Sequence, residues 1–210
     1  MSSKLDNPSV SRSFPSPAQI QPTIVEHEDK KLEVVEETKT CADYELPIKQ
    51  AVQAYDLDQL DDLFFALNRQ ADCPVSYLEA VKRSMAQIAA ARADDLTQQG
   101  QLTNAVSWLR RAPTMVWGTQ VVYGDIAARR HQWQKAALFY NQAIDLIADP
   151  ELTPQAPSEV VIKKIYRLAS EAQLLAGNFG AVKRLYKTTN KKYYYDPNYF
   201  QLFRLFFEMS

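Results

Sequence analysis

The sequence predicts an all-α protein, and two observations lead to that prediction. From Leu46 onward, apolar residues recur at three- and four-residue spacing, which is the period of an amphipathic helix. Prolines in this part of the chain stand at breaks and at expected helix starts, such as Pro74 and Pro157. No segment has the alternating pattern and hairpin turn of a strand pair. We therefore divide the chain into an N-terminal arm, residues 1–40, and a helical repeat domain, residues 41–210.

The arm is expected to be disordered. It is rich in Ser, Pro, Gln, Glu and Lys, and its few apolar residues follow no sustained period. Such a stretch buries too little apolar surface to offset its chain entropy. It acts either as a passive linker or as a docking segment, since residues 32–35 could add to the edge of a partner's sheet.

Helices are predicted in sequence order from the apolar period and from the start signals. Pro47 and Pro74 are placed at first helical positions, where the missing amide hydrogen costs nothing. The predicted helices cover residues 47–55, 58–70, 75–99, 102–111, 115–130, 132–148, 157–176, 178–190 and a last segment at 197–209.

Three segments of the domain repeat one pattern. They begin at the turn residues Gly100, His131 and Gly177, and a large apolar residue follows two places later in each. Small residues come next, Ala105 in the first copy and Ala136 in the second. Small residues at a crossing let two antiparallel helices approach closely, and glycine can end a helix in the left-handed conformation. The pattern therefore predicts antiparallel helix pairs.

This pattern resembles the tetratricopeptide repeat. The copies cover about residues 86–113, 117–150 and, in degenerate form, 163–190; in the best copy, Gly124, Ala136, Tyr140 and Ala143 match the family's small and aromatic positions. The resemblance implies helix pairs stacked as a short α-solenoid. Residues 47–70 look like a further pair that caps the array. The sequence departs from the family in the close spacing of its first two copies and in the uncharged stretch 152–157, which we expect to form a loop.

The resemblance also implies a concave groove for a protein or peptide partner, lined by the first helix of each pair. Mixed polar side chains there suit a peptide, which needs hydrogen bonds and ion pairs to fix its register. The family's two-lysine, two-asparagine clamp is not matched, because Ala90 and Asp94 occupy its places. We therefore expect a scaffold or adaptor other than a chaperone-tail binder. The partner-binding positions carried over are Gln87, Ala90, Asp94, Gln98, Val121, Asp125, Arg129, Lys164, Arg167 and Glu171.

The C-terminal stretch permits two further interpretations. Residues 187–200 interleave lysine with tyrosine, a pattern that suits phosphate contacts and base stacking, so nucleic-acid binding is the alternative function. Aromatic residues follow at helical spacing, and an exposed aromatic patch usually marks a protein interface. We expect this segment to bind the partner or a second copy of the chain through Tyr199, Phe203 and Phe206.

No catalytic, cofactor or metal site is predicted. The chain lacks a glycine-rich phosphate loop and a nucleophile elbow, so we expect no enzyme activity. Its two histidines, His27 and His131, lie far apart, and two cysteines without histidine partners are too few for a metal site. Cys41 and Cys73 are expected to be unpaired thiols, although one disulfide is arithmetically possible.

Charge and hydropathy set limits on location. The formal net charge of −1 directs the whole chain neither to nucleic acid nor to an anionic membrane. The N-terminus has no apolar export signal, and no apolar run is long enough to span a membrane. Cytoplasmic residence is the default expectation, and removal of a signal segment would make a periplasmic or secreted location equally compatible with the sequence.

Overall fold

The structure, a computed structural model, describes the backbone of residues 39–193 and the side chains of residues 39–188. This range contains eight α-helices and no strand, which confirms the all-α prediction. The predicted arm and the predicted segment 197–209 lie outside the described residues, except for the last two residues of the arm. The helices are α1 (Ala42–Gln53), α2 (Leu57–Leu67), α3 (Val75–Gln98), α4 (Leu102–Leu109), α5 (Trp117–Arg129), α6 (Trp133–Ala148), α7 (Glu159–Leu175) and α8 (Phe179–Tyr193).

The first helix begins five residues before its predicted start, so Pro47 lies inside α1. The backbone N–H and the hydroxyl of Thr40 both donate to the Asp43 carboxylate, at 2.7 and 2.9 Å. Tyr44 is buried on this first turn. These contacts stabilise the turn that precedes the proline. Because Pro47 has no backbone N–H, α1 lacks one hydrogen bond there, the one to the carbonyl four residues earlier.

Four helix pairs close with the same turn. Two residues after the first helix of each pair ends, the backbone takes a positive φ, at Tyr55 (55°), Gly100 (77°), His131 (56°) and Gly177 (77°). In each turn the next backbone N–H donates to the carbonyl five residues before it, over 2.8 to 3.0 Å. This is the six-to-one bond of a Schellman motif, which satisfies a carbonyl at the helix end. The three predicted turn residues therefore share one geometry, and Tyr55 adds a fourth copy that the sequence pattern had not revealed.

The second helix of each pair begins two residues after the turn. Its fourth residue packs inward: Leu60, Ala105 and Ala136 are fully buried, and Val182 is nearly so. The first and last copies thus use a larger side chain where the two middle copies use alanine.

Three buried clusters join consecutive helices. One joins α1, α2 and α3, the next joins α3, α4 and α5, and the third joins α5, α6 and α7. Each of α3 and α5 contributes to two clusters. Both helices therefore belong to a pair and also connect it to the next one.

Cys41 and Cys73 form a disulfide, so the prediction of two unpaired thiols is wrong. The turn at Tyr55 folds the first pair back, which brings the start of α1 and the segment before α3 to a Cα–Cα distance of 5.1 Å. The same segment also reaches the start of α1 through a hydrogen bond, since the backbone N–H of Cys41 donates to the Asp72 carboxylate at 2.9 Å.

The uncharged interruption forms a loop between α6 and α7, as predicted. The Asp149 carboxylate accepts the backbone N–H groups of Glu151 and Leu152, at 2.9 and 3.3 Å. Thr153 is buried, and its hydroxyl donates to the Leu146 carbonyl at 2.7 Å. These bonds fold the loop back on α6. Among the helices described, none combines the length and the apolar character that a membrane span requires.

Candidate functional site

One face of α3 runs along most of that helix. Its residues recur at spacings of four and three, which places them on one side of a helix. The packing of α5 against α3 is close, because a Cβ on Gly118 would lie 2.6 Å from Gln87 Oε1 and 3.4 Å from the Cβ of Ala90. The start of α5 therefore lies beside the stripe, with Gly118 in contact with the end of the Gln87 side chain. The α3 stripe comprises Ala80, Ser84, Gln87, Ala91, Asp94 and Gln98.

A cavity of about 670 Å³ opens on the N-terminal half of this stripe. The end of α1, the beginning of α5 and the loop residues 152–155 form its other walls. Val52, Ile88 and Trp117 supply apolar surface, while Ser84 and Gln87 supply hydrogen-bonding groups. The cavity can therefore enclose an apolar group and leave polar atoms within reach.

A group of charges surrounds the C-terminal part of the stripe. The Tyr140 hydroxyl of α6 donates to the Asp125 carboxylate of α5 at 2.5 Å. Burial raises the pKa of Asp125, and the negative charge of Asp94 raises it further. The hydrogen bond from Tyr140 and the positive charges of Lys164 and Arg129 oppose that rise in pKa.

The pKa of Tyr140 is raised as well. Burial is the main cause, the charge of Asp125 and its hydrogen bond add to it, and the charge of Glu171 contributes. Three helices, α3, α5 and α7, therefore bring charged residues to the Tyr140–Asp125 pair. This arrangement suits recognition of polar or charged groups on a ligand.

Most of the partner-binding positions predicted from the repeat resemblance fall in these two regions. Gln87 lines the cavity, and Gln98 donates to the Asp94 carboxylate at 2.8 Å. Val121 is half-buried and packs against the cluster that joins α5, α6 and α7. Ala90 is buried where α5 crosses α3, so it is not exposed in a groove. The charged residues around the Tyr140–Asp125 pair, here called the charged end, are Asp94, Asp125, Arg129, Lys164 and Glu171. Arg167 is exposed on α7. Tyr199, Phe203 and Phe206 lie outside the described residues.

Sequence reasoning missed the cavity itself. Stepping back along α3 from Gln87 by three and then four residues would have found Ser84 and Ala80. Tyr55 and the loop residues 152–155 also line the cavity. No sequence signal predicts this, because it depends on how separate segments of the chain pack together. Arg83 also lines the cavity, and it lies before the first repeat copy that the sequence predicts, at about residues 86–113.

Comparison with protein-family models, curated proteins and solved structures gave no match for this chain. In the part of the chain that the structure describes, no group of three His, Cys, Asp or Glu residues is placed to hold a metal ion.

Proposed function

We propose that this chain is a non-enzymatic protein–protein interaction module of tetratricopeptide type, a scaffold or adaptor. It binds an extended peptide segment of another protein along the surface of α3 and α5. The observation that carries this proposal is the continuity of one helix face, which leads from the apolar cavity at Ser84 and Gln87 to the charges around Asp94 and Asp125.

The length of this face suits a peptide. From Ala80 to Gln98 the stripe extends about 27 Å at the rise of an α-helix. An extended chain of about eight residues covers that distance. A ligand of this length would contact the cavity and the charged end together.

The chemistry of the face also suits a peptide. A buried apolar side chain commonly supplies much of the affinity of a protein interface, and polar and charged contacts fix register and orientation. The cavity and the charged end provide these two kinds of contact at separate places on one surface.

A library of random displayed peptides tests the proposal. Peptides enriched on the full chain should lose binding to an Ala91→Trp variant, because Ala91 is exposed at the cavity and an indole there would fill it. The matched control is Gln134→Trp, which adds the same side chain at an exposed position of α6 that does not line the cavity.

The outcomes separate clearly. Binding that is lost in Ala91→Trp and kept in Gln134→Trp supports a ligand on the α3 and α5 face. Failure to enrich any peptide on the wild-type chain, or equal binding to both variants, contradicts the proposed peptide-binding function of this face.

A further inference from the structure

Arg83 is the one charged residue among the described residues that line the cavity. It is half-buried and forms no ion pair with any described residue. Glu79, four residues earlier on α3, is a natural helix partner for it. Its carboxylate instead accepts from Lys82 at 2.8 Å. The guanidinium therefore retains capacity to donate to an acidic group that enters the cavity.

Arg111 provides the contrast within the same domain. Its guanidinium contacts two carboxylates of α2, Asp58 at 2.6 Å and Asp61 at 2.7 Å. It also lies over the ring of Trp108, at 4.8 Å. Arg111 therefore connects two helix pairs, whereas Arg83 forms no ion pair within residues 39–188.

The surroundings of Arg83 favour a particular ligand. Ile88, Trp117 and Leu152 give the same cavity an apolar wall. The carboxamide of Gln87 stands one helical turn from Arg83 and lines the cavity as well. A ligand that fills this space would bury an apolar group and place its charged group at Arg83.

We infer that the cavity recognises, in the partner peptide, a large apolar side chain with an aspartate or glutamate one or two positions away. The apolar side chain enters the cavity, and Arg83 donates hydrogen bonds to the neighbouring carboxylate. This inference rests on the proposed peptide-binding function and specifies its ligand.

The carboxylate is assigned to a side chain rather than to a peptide C-terminus. The proposed ligand is an internal segment of the partner protein, and the α3 face continues from the cavity to Asp94 and Gln98, along which such a segment can extend. Arginine suits the contact because its planar guanidinium can donate two parallel hydrogen bonds to one carboxylate.

Selection from the random peptide library tests the inference on the full chain. We expect the wild type to enrich Asp or Glu within two positions of a large apolar residue. An Arg83→Glu variant should enrich Lys or Arg there instead, since the charge of the site is reversed. The control Lys135→Glu makes the same charge reversal at an exposed position of α6 and should keep the wild-type preference.

Affinity measurements on one selected peptide, synthesised with an amidated C-terminus, identify the source of the carboxylate. We expect binding to the wild type to survive amidation and to fall about tenfold in Arg83→Gln, the scale of one charge-assisted contact. Thermal melts should give unchanged midpoints for this variant, because Arg83 has no ion pair within the described fold.

Each remaining outcome has a defined meaning. Selected peptides without an acidic preference, an unchanged preference in Arg83→Glu, or binding that amidation abolishes would overturn the inference while the proposed function stands. Failure of the wild type to enrich any peptide would overturn both.

Discussion

At the scale of single residues, Gly124 and Tyr140 share one space between α5 and α6. A Cβ on Gly124 would lie 2.6 Å from Cδ1 of Tyr140 and would meet two further atoms of its ring. Tyr140 is buried, and its hydroxyl is held by Asp125. The ring therefore has little freedom to move away from a new methyl group.

We predict that Gly124→Ala destabilises the fold. Alanine in a helix gains roughly 1 kcal/mol over glycine, but overpacking a rigid site costs about 1–3 kcal/mol, so the clash should prevail. Thermal denaturation should show a lower midpoint for this variant. Gly180→Ala is the control, because the nearest atom to its Cβ is a flexible arginine end at 3.8 Å, and its midpoint should rise. A higher midpoint for Gly124→Ala would contradict the close packing.

The raised pKa of Asp125 predicts a pH-dependent stability. The ordinary pKa of this group is 3.8, and burial raises it in the folded state. The unfolded chain therefore loses the proton at lower pH than the folded chain, so the free energy of unfolding falls as pH rises between the two values. Asparagine keeps an acceptor for Tyr140 but has no proton to lose. We expect the stability of Asp125→Asn relative to wild type to increase from pH 3 upward in urea titrations, and parallel pH profiles would refute this.

At the scale of elements, the repeated turn separates what sequence predicts from what it does not. Gly100 and Gly177 were identifiable because glycine adopts positive φ without steric cost. His131 was identified by its alignment with them. Tyr55 gives no such signal, since a bulky residue such as tyrosine rarely adopts positive φ. The predicted start of α1 at Pro47 is wrong, because contacts at Thr40 and Tyr44 extend the helix ahead of the proline.

The disulfide is the second element-scale feature, and it predicts a response to reductant. Cys41 and Cys73 are separated by 32 residues, and a crosslink over a loop of that length stabilises by roughly 3.5 kcal/mol in the chain-entropy treatment. Thermal melts should therefore shift to lower temperature when a reductant is added. The double variant Cys41→Ala/Cys73→Ala should melt at the reduced midpoint with or without reductant. Two titratable thiols in the untreated native protein would contradict the bond.

At the scale of the whole molecule, the charged end of the site could be predicted and the apolar cavity could not. The repeat resemblance implied that Asp94, Asp125 and Lys164 line one surface, and the structure brings the charges of Asp94 and Lys164 within electrostatic range of Asp125. The cavity instead requires the end of α1 and the loop between α6 and α7 to meet α3. That meeting depends on tertiary contacts such as the hydrogen bond from Thr153 to Leu146, which no local pattern encodes.

The last prediction concerns self-association through the C-terminal residues. The sequence of residues 197–210 carries Phe200, Phe203, Phe206 and Phe207, too many large apolar groups for one amphipathic stripe. We predict that this segment mediates self-association, so the full chain should sediment as a larger species than a chain ending at Tyr195. Identical sedimentation of the two chains would instead assign these aromatic residues to an ordinary capping helix.

The Schellman turns also have a consequence for how the chain acquires its fold. Each turn is closed by a backbone bond within six consecutive residues, and the buried clusters join helices that follow one another closely in sequence. Helical proteins dominated by such local contacts fold in microseconds to milliseconds. The buried residues of the first cluster end at Ala89 of α3, so this cluster can assemble while the rest of the chain is still being synthesised. Later pairs can then add in the order in which they leave the ribosome.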